Sequence, residues 1–403
     1  MAKHTMQELY QWQALPLNIK VRMTAERIRN WVNEFGEDGV YLSFSGGKDS
    51  TVLGHIIREV CGYKNIPFVF VDVPTQYPEL KQFAKAFDNL VILKPKISFA
   101  EVCEKYGFPM ISKEVSNCVS GARKYVKYLG SQKSNSTILT DRQTDRQTDR
   151  QTVPYACYMA DLLGIDRRID KQNEQYKSLQ MGVIPSGSEY RSRRLNGELT
   201  DSKGNYSQFN QEKYKFFLDA PFEISDLCCD IMKKKPAHDY EKETGRKPII
   251  ATMASESVMR TQKWLQDGCN AFNVTRPHSN PMSFWTEQDI LLYIKENNLP
   301  ICSVYGEVVT DYEAMGQCEN QMSFADFGIF DKERPSLKTT GCQRTGCVLC
   351  GFGCHLEKES RFLRLKETHP KFHNLLYILK NNGVTYAEAI DWVNEHGNMN
   401  IKY

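Results

Sequence analysis

A chain of 403 residues, 41% hydrophobic and 25% charged, is too long for one typical domain and has the composition of an ordinary globular protein. A formal charge of +3 suits phosphate binding but excludes any inference of nucleic acid from charge alone. No stretch approaches the ~18 apolar residues of a membrane span, and the N-terminal MAKHTMQELYQWQ has no apolar core of signal-peptide length. A cytoplasmic protein without membrane contact is expected. Its 13 cysteines would then sit in a reducing compartment, where clustered thiols serve metal or redox chemistry.

Leu17–Phe35 carries Val21, Ile28, Trp31 and Val32 at helical spacing, and Gly36 and Gly39 break that pattern. Val40–Phe44 reads as a buried strand and Thr51–Val60 as an apolar helix. Pro67–Val73 is a second strand, followed by a helix from Pro78 to about Phe87, a third strand at Leu90–Leu93 and a helix at Phe99–Tyr106. Short apolar strands alternating with helices predict an α/β fold whose parallel sheet is covered on both faces. Such sheets bind ligands beyond the carboxyl ends of their strands.

Ser131–Thr152 contains three DRQT copies at Asp141–Thr152. It can bury no core and is expected to be a mobile polar insertion. The polar stretch Ser186–Glu212 is expected to form loops. From Tyr214 order returns, with a strand at Lys247–Thr252 and a helix at Ser255–Leu265 capped by Ser255. An amphipathic helix spans Thr286–Asn297, with Thr286 as cap and Asp289 at the third helical position. The basic segment from Lys358 is helical and ends in an amphipathic stretch at Thr385–Glu395. The expected organisation is an N-terminal helical segment (1–37), a nucleotide-binding domain in two parts (38–130 and 213–310), the polar insertion between them (131–212), and a cysteine-cluster and helical region (311–403).

The sharpest signal lies at the first strand–helix junction, Ser43-Phe44-Ser45-Gly46-Gly47-Lys48-Asp49-Ser50-Thr51. Two glycines permit a tight turn with positive φ and leave no Cβ in the way of an anion. Successive amides can form a nest, reinforced by the start of the helix. Ser45, Ser50 and Thr51 offer hydroxyls, and Lys48 a compact charge. The Walker spacing is absent. The string reads as a cradle for a pyrophosphate group.

A second signal is thiol chemistry. Cys228-Cys229 and Cys347-x-x-Cys350 together suit zinc or an iron–sulfur cluster, with Lys233, Lys234, Lys235 and Arg344 offsetting the charge. Cys342 and Cys354 provide a competing local set, Cys342/Cys347/Cys350/Cys354, of zinc-knuckle type. The residues alone leave the metal open. Cys61, Cys103, Cys118, Cys157, Cys269, Cys302 and Cys318 read as small core residues or bystanders.

SGGKDS after an apolar strand resembles the PP-loop of ATP pyrophosphatases, shared by phosphoadenosine phosphosulfate (PAPS) reductases, ATP sulfurylase subunits and several tRNA-thiolating enzymes. The resemblance implies a doubly wound parallel sheet of the adenine nucleotide alpha hydrolase type, with a C-terminal cysteine-cluster and helical extension. It implies ATP, APS or PAPS held by Ser43, Ser45, Gly46, Gly47, Lys48, Asp49, Ser50 and Thr51, with Mg as companion ion and Lys48, Asp49 and Ser50 in catalysis. Phe68–Asp72 leading into VDVPTQYPE resembles the family's DTG…PE stretch, with Val73 and Pro74 in place of Thr-Gly, and implies Asp72 near the nucleotide. Ala254-Ser255-Glu256-Ser257…Arg260 resembles GxRxxES…R, with Ala251 and Met253 at the Gly and Arg positions, and implies Arg260 as a phosphate contact. Pro281…Trp285-Thr286…Tyr305 resembles a structural signature in which Trp285 is core; Arg276 and His278 before it are candidates to line the cleft.

CC…K…P with a later CxxC resembles the 4Fe-4S framework of cluster-containing APS and PAPS reductases and implies Cys228, Cys229, Cys347 and Cys350 as ligands, zinc being the alternative. Family reductases carry a C-terminal Glu-Cys-Gly-Leu/Ile-His nucleophile. Here no cysteine follows Cys354, and Cys354-His355 matches only loosely. Three functions are implied side by side. One is reduction of APS or PAPS with a thiol reductant protein. Another is ATP-dependent adenylation of a nucleic-acid target for sulfur from a donor protein, as in DNA phosphorothioation or tRNA thiolation, with basic Lys358–Lys380 contacting nucleic acid. The third is a non-enzymatic nucleotide-binding module with structural zinc.

Overall fold

The computed structural model describes residues 3–140, 187–311 and 336–403, with the backbone alone for 130–140. The DRQT tract, Cys157 and Cys318 lie outside the described residues. The chain forms two compact units interleaved in sequence, Met1–Ser98 with Cys229–Val348, and Phe99–Cys228 with Leu349–Tyr403. Among the described residues no helix is long and apolar enough to cross a membrane.

The first unit is an α/β layer structure. In chain order it comprises α1 (Met6–Gln13), α2 (Leu17–Phe35), β1 (Val40–Phe44), α3 (Lys48–His55), β2 (Phe68–Val71), α4 (Pro78–Ala84), β3 (Leu90–Leu93), α5 (Lys235–Thr244), β4 (Lys247–Ile250), α6 (Val258–Asp267), β5 (Asn270–Ala271), β6 (His278–Ser279) and α7 (Glu287–Glu296). The six strands form one sheet in the order β3-β2-β1-β4-β6-β5. All pairs are parallel except β5–β6. Val40, Tyr41 and Leu42 in β1, and Phe68, Val69 and Phe70 in β2, are consecutive and all at most 2% exposed. Unbroken burial along a strand means that both faces are covered, as the apolar runs predict. Each buried phenylalanine contributes about 1.5–3 kcal/mol.

Close packing shapes α3. A Cβ on Gly54 would lie 2.8 Å from the Phe68 ring, so only glycine lets this helix approach β2. The helix continues as a π-turn at Ile56–Val60. It begins at Lys48, three residues before the expected Thr51, because its polar first turn satisfies itself: the Ser50 and Thr51 hydroxyls each donate to the Gly47 carbonyl at 3.0 Å. The cap of α6 is Ser257, not Ser255, which falls in a 3-10 turn. Thr286 and Asp289 form the expected capping box on α7.

The second unit builds on a long helix, Lys113–Thr140. Ser131–Thr140 continues it, since polar helix formers such as Gln and Lys propagate a helix already nucleated. Ser188–Leu195, in a stretch whose polarity predicts loops, is helical, tied to the long helix by the Arg194–Glu114 ion pair at 2.5 Å. Met110–Ile111 pairs in parallel with Gly351–Phe352. Phe108 stacks on Tyr386, whose helix Tyr386–Gly397 is capped by Thr385.

Candidate functional site

In the strand order, β1 lies between β2 on one side and β4 on the other, so the chain leaves β1 toward one half of the sheet and returns to the other. This is a topological switch point, where a crevice opens beyond the strand's carboxyl end. Ser45, Gly46 and Gly47 occupy it. Gly46 has φ +71°, whereas Gly47 is extended at φ −77° and ψ 158° and caps α3; only one of the two glycines takes the left-handed conformation. Ser45 and Ser50 lock the bend: the Ser45 amide donates to Ser50 Oγ at 3.2 Å, and the Gly47 amide donates to Ser45 Oγ at 3.2 Å. The amides of Gly46, Asp49 and Ser50 find no acceptor among the described residues, as expected at a helix start, and the helix dipole adds positive potential there. Ser43 precedes them within β1, paired to Val69 and Ile250.

A Gly46→Ala substitution should therefore be costly. A Cβ there would meet the Leu80 carbonyl at 3.0 Å in a left-handed backbone, for a loss of about 1–2 kcal/mol. Gly47→Ala should cost less, because its new neighbours are the rotatable groups of Ser45, Tyr305 and Thr345 at 3.1–3.4 Å. Urea midpoints of the two variants test this order.

Lys48 is 3% exposed. Its Nζ donates to the Gln343 carbonyl at 2.9 Å and pairs with Glu287 at 3.2 Å, with Asp49 at 3.9 Å. Its amide donates to the Tyr305 hydroxyl at 3.3 Å, which also bonds Thr345 Oγ1 at 2.7 Å. Burial pushes the Tyr305 phenol up to about 12, so this hydroxyl stays protonated at neutral pH. Burial raises the Asp49 carboxyl above its usual value; Lys48 opposes that shift, Glu287 adds to it, and Arg344 and Arg260 oppose it. Arg260 is ion-paired with Glu256. The loop thus gathers Lys48, Asp49, Ser50, Thr51, Arg260 and Arg344. Glu287, Tyr305, Gln343 and Thr345 were not legible as site residues. Only the helix cap at Thr286 marked the neighbourhood of Glu287.

Asp72 lies just past β2 and pairs with Lys81 at 2.5 Å. Arg276 is bound to Glu241, which accepts from Tyr41 in the first half of β1; together with His278 of β6 it belongs to that region of the sheet and not to the loop. Trp285 is fully buried and donates to Thr24, a core residue as expected.

Among the described residues no group of three or more His, Cys, Asp or Glu side chains converges to hold a metal ion. Cys228 and Cys350 belong to one compact unit, Cys229 and Cys347 to the other. Cys354 is 7% exposed, its thiol donates to the Gly351 carbonyl at 2.9 Å, and burial pushes it up to about 12. Without a bound cation beside it, this thiol stays protonated at neutral pH.

Residues 39–155 and 191–351, well over half of the chain, match the family model for the phosphoadenosine phosphosulfate reductase domain. The chain belongs to this family. Membership places it with nucleotide-binding enzymes of sulfur metabolism. No curated protein matches it. Among solved structures it is similar to a phosphoadenylyl-sulfate (PAPS) reductase from Candida auris in a phosphate complex, with 13% identity, 75% of this chain and 91% of that one covered, and a TM-score of 0.30. A likeness at that level carries no weight about the site. In this PAPS reductase family member the loop after β1 lies within the matched residues and at the switch point of the sheet.

Proposed function

We propose that the chain binds an adenine nucleotide at Ser45–Thr51 and acts on ATP as a pyrophosphatase, passing the adenylyl group to an acceptor in sulfur transfer. The observation that carries this reading is the set of open amides at the switch point, flanked by Lys48, Arg260 and Arg344. An acceptor oxygen would attack the α-phosphorus, and the bond from that phosphorus to the bridging oxygen would break. Pyrophosphate would leave with the electron pair, and the acceptor would carry AMP. Lys48 and the loop amides would stabilise the negative charge that develops on the leaving group. The Ser50 hydroxyl would turn from the Gly47 carbonyl to the phosphate chain, and Asp49 would orient Lys48. Asp72, held by Lys81, would contribute field and not contact.

Adenylation is favoured over reduction of APS or PAPS because reduction needs a thiolate nucleophile. Cys354, the residue that loosely matches the family nucleophile, is buried with its thiol on the Gly351 carbonyl. The acceptor would be a nucleic-acid or small-molecule oxygen, and the sulfur source a separate donor protein. The test supplies the purified chain with ATP in one arm, and with APS or PAPS plus thioredoxin in the other. Pyrophosphate release from ATP, or exchange of labelled pyrophosphate into ATP, is the expected result. Sulfite release without pyrophosphate release would overturn the adenylation reading in favour of reduction.

A further inference from the structure

We propose that Arg344 is a phosphate-binding residue of this site, reading the tetrahedral oxyanion that lies beyond the nucleotide's α-phosphate. This rests on the nucleotide reading above and extends it to a residue from a distant part of the chain. The geometry begins with its two neighbours. The Gln343 carbonyl accepts from Lys48 Nζ at 2.9 Å. Thr345 Oγ1 bonds the Tyr305 hydroxyl that receives the Lys48 amide, and lies 3.4 Å from the position a Cβ on Gly47 would take. Consecutive Cα atoms are about 3.8 Å apart. With the residues on either side of it fixed to the glycine loop, Arg344 is held beside that loop too.

The strap that carries it is anchored at both ends. Gly341 and Cys342 donate their amides to the carbonyls of Tyr305 and Val304, each at 2.8 Å, and the Val348 amide donates to the Thr75 carbonyl at 2.7 Å. Leu337–Thr339 pairs with Val308–Thr310. The arginine is therefore presented by a fixed backbone and not by a free loop.

The Asp49 carboxylate feels the charge of Arg344 without closing an ion pair with it. Arg260, Lys81, Arg276 and Lys96 are each neutralised by a carboxylate. Arg344 is exposed, and no ion pair reaches it among the described residues. It nevertheless stands in a neighbourhood that already holds Lys48 and Arg260, and Arg260 feels its charge as repulsion. A guanidinium that closes no ion pair among the described residues, beside two other cations and three open amides, is what an anionic ligand would neutralise. A guanidinium binds a phosphate or sulfate face through two parallel N–H donors, which a lysine cannot do. Lys48 and the amides serve the inner part of the phosphate chain, and Arg344, on the exposed rim, serves its outer part.

The test is calorimetric titration of the full chain with ATP, ADP and AMP, for wild type, Arg344→Ala, Arg344→Lys and Lys48→Ala. Arg344→Ala is expected to weaken ATP about 10- to 100-fold, to weaken ADP, and to leave AMP within about twofold. Arg344→Lys should recover part of the ATP loss. Because the side chain is exposed, unchanged thermal melting of Arg344→Ala is expected and serves as the folding control. An equal loss for ATP and AMP, or no loss for either while Lys48→Ala still loses ATP, overturns the role of Arg344 and leaves the nucleotide site standing. Absence of nucleotide binding by the wild type overturns the site itself, and the role of Arg344 with it.

Discussion

Replacing Lys48 by alanine is expected to lower pyrophosphate release from ATP by about 10²- to 10³-fold, the loss typical of removing one preorganised stabiliser of developing charge. The effect should fall on kcat as well as on ATP affinity, because Lys48 in the ligand-free chain is already engaged by Glu287 and the Gln343 carbonyl. It must leave those partners to meet phosphate, so part of its binding energy is spent in the ground state and its full value is reached only as pyrophosphate departs. The fold should survive. Glu287 is 40% exposed and takes up water when the ammonium is removed. Lys48→Arg should not rescue, since the side chain is 3% exposed and the slot is shaped for a compact charge. Glu287→Gln should act in the opposite sense. It weakens the competing ion pair, so ATP affinity rises severalfold, as for any binder released from an unproductive state. Steady-state pyrophosphate assays and circular dichroism on the three variants decide the matter. Activity of Lys48→Ala within threefold of wild type would sink the loop as the phosphate site.

The loop itself was legible because its signal is local. An apolar run ending in Ser-Gly-Gly-Lys places a strand end, a bend and a cation within a few residues, and the structure sets Gly46 in the left-handed conformation that such a bend requires. The capping box of α7 was legible for the same reason, since Thr286 and Asp289 are three residues apart. The second half of the site was not. Tyr305 meets Lys48 from 257 positions away, and Gln343 from 295. A hydroxyl and a backbone carbonyl have no sequence pattern that announces such partners. The cysteines show the converse limit. Their spacing is a sequence property, but convergence of thiolates is a property of tertiary placement, and the burial of Cys354 with its thiol on the Gly351 carbonyl has no sequence signal. Ser257 displaced Ser255 as the cap of α6 because both serines satisfy the local rule, and the choice rests on where the chain turns, fixed by Glu256 folding back onto the Met253 amide.

The largest effect on stability is expected at Lys20 and Asp289. Their ion pair, at 2.6 Å with side chains 2% and 5% exposed, joins α2 to the first turn of α7. Lys20 Nζ also donates to the Gln13 carbonyl at 2.6 Å, and Asp289 Oδ2 accepts from the amide and hydroxyl of Thr286, each at 2.8 Å. Removing one partner strands a charge in a low-dielectric interior. Lys20→Met or Asp289→Asn alone should therefore cost about 3–5 kcal/mol. The double variant Lys20→Met/Asp289→Asn should cost clearly less than the two single changes summed, because no uncompensated charge remains and asparagine keeps part of the cap. Denaturant midpoints across this double-mutant cycle measure the coupling; strict additivity would mean that the pair is not the unit of stability. The consequence reaches the site through α7, whose first residue is the Glu287 that holds Lys48. A loosened α7 start should release Lys48 as Glu287→Gln does. Lys20→Met is thus expected to lower the melting temperature while leaving ATP affinity unchanged or higher, a combination that a general loss of packing around the loop would not produce.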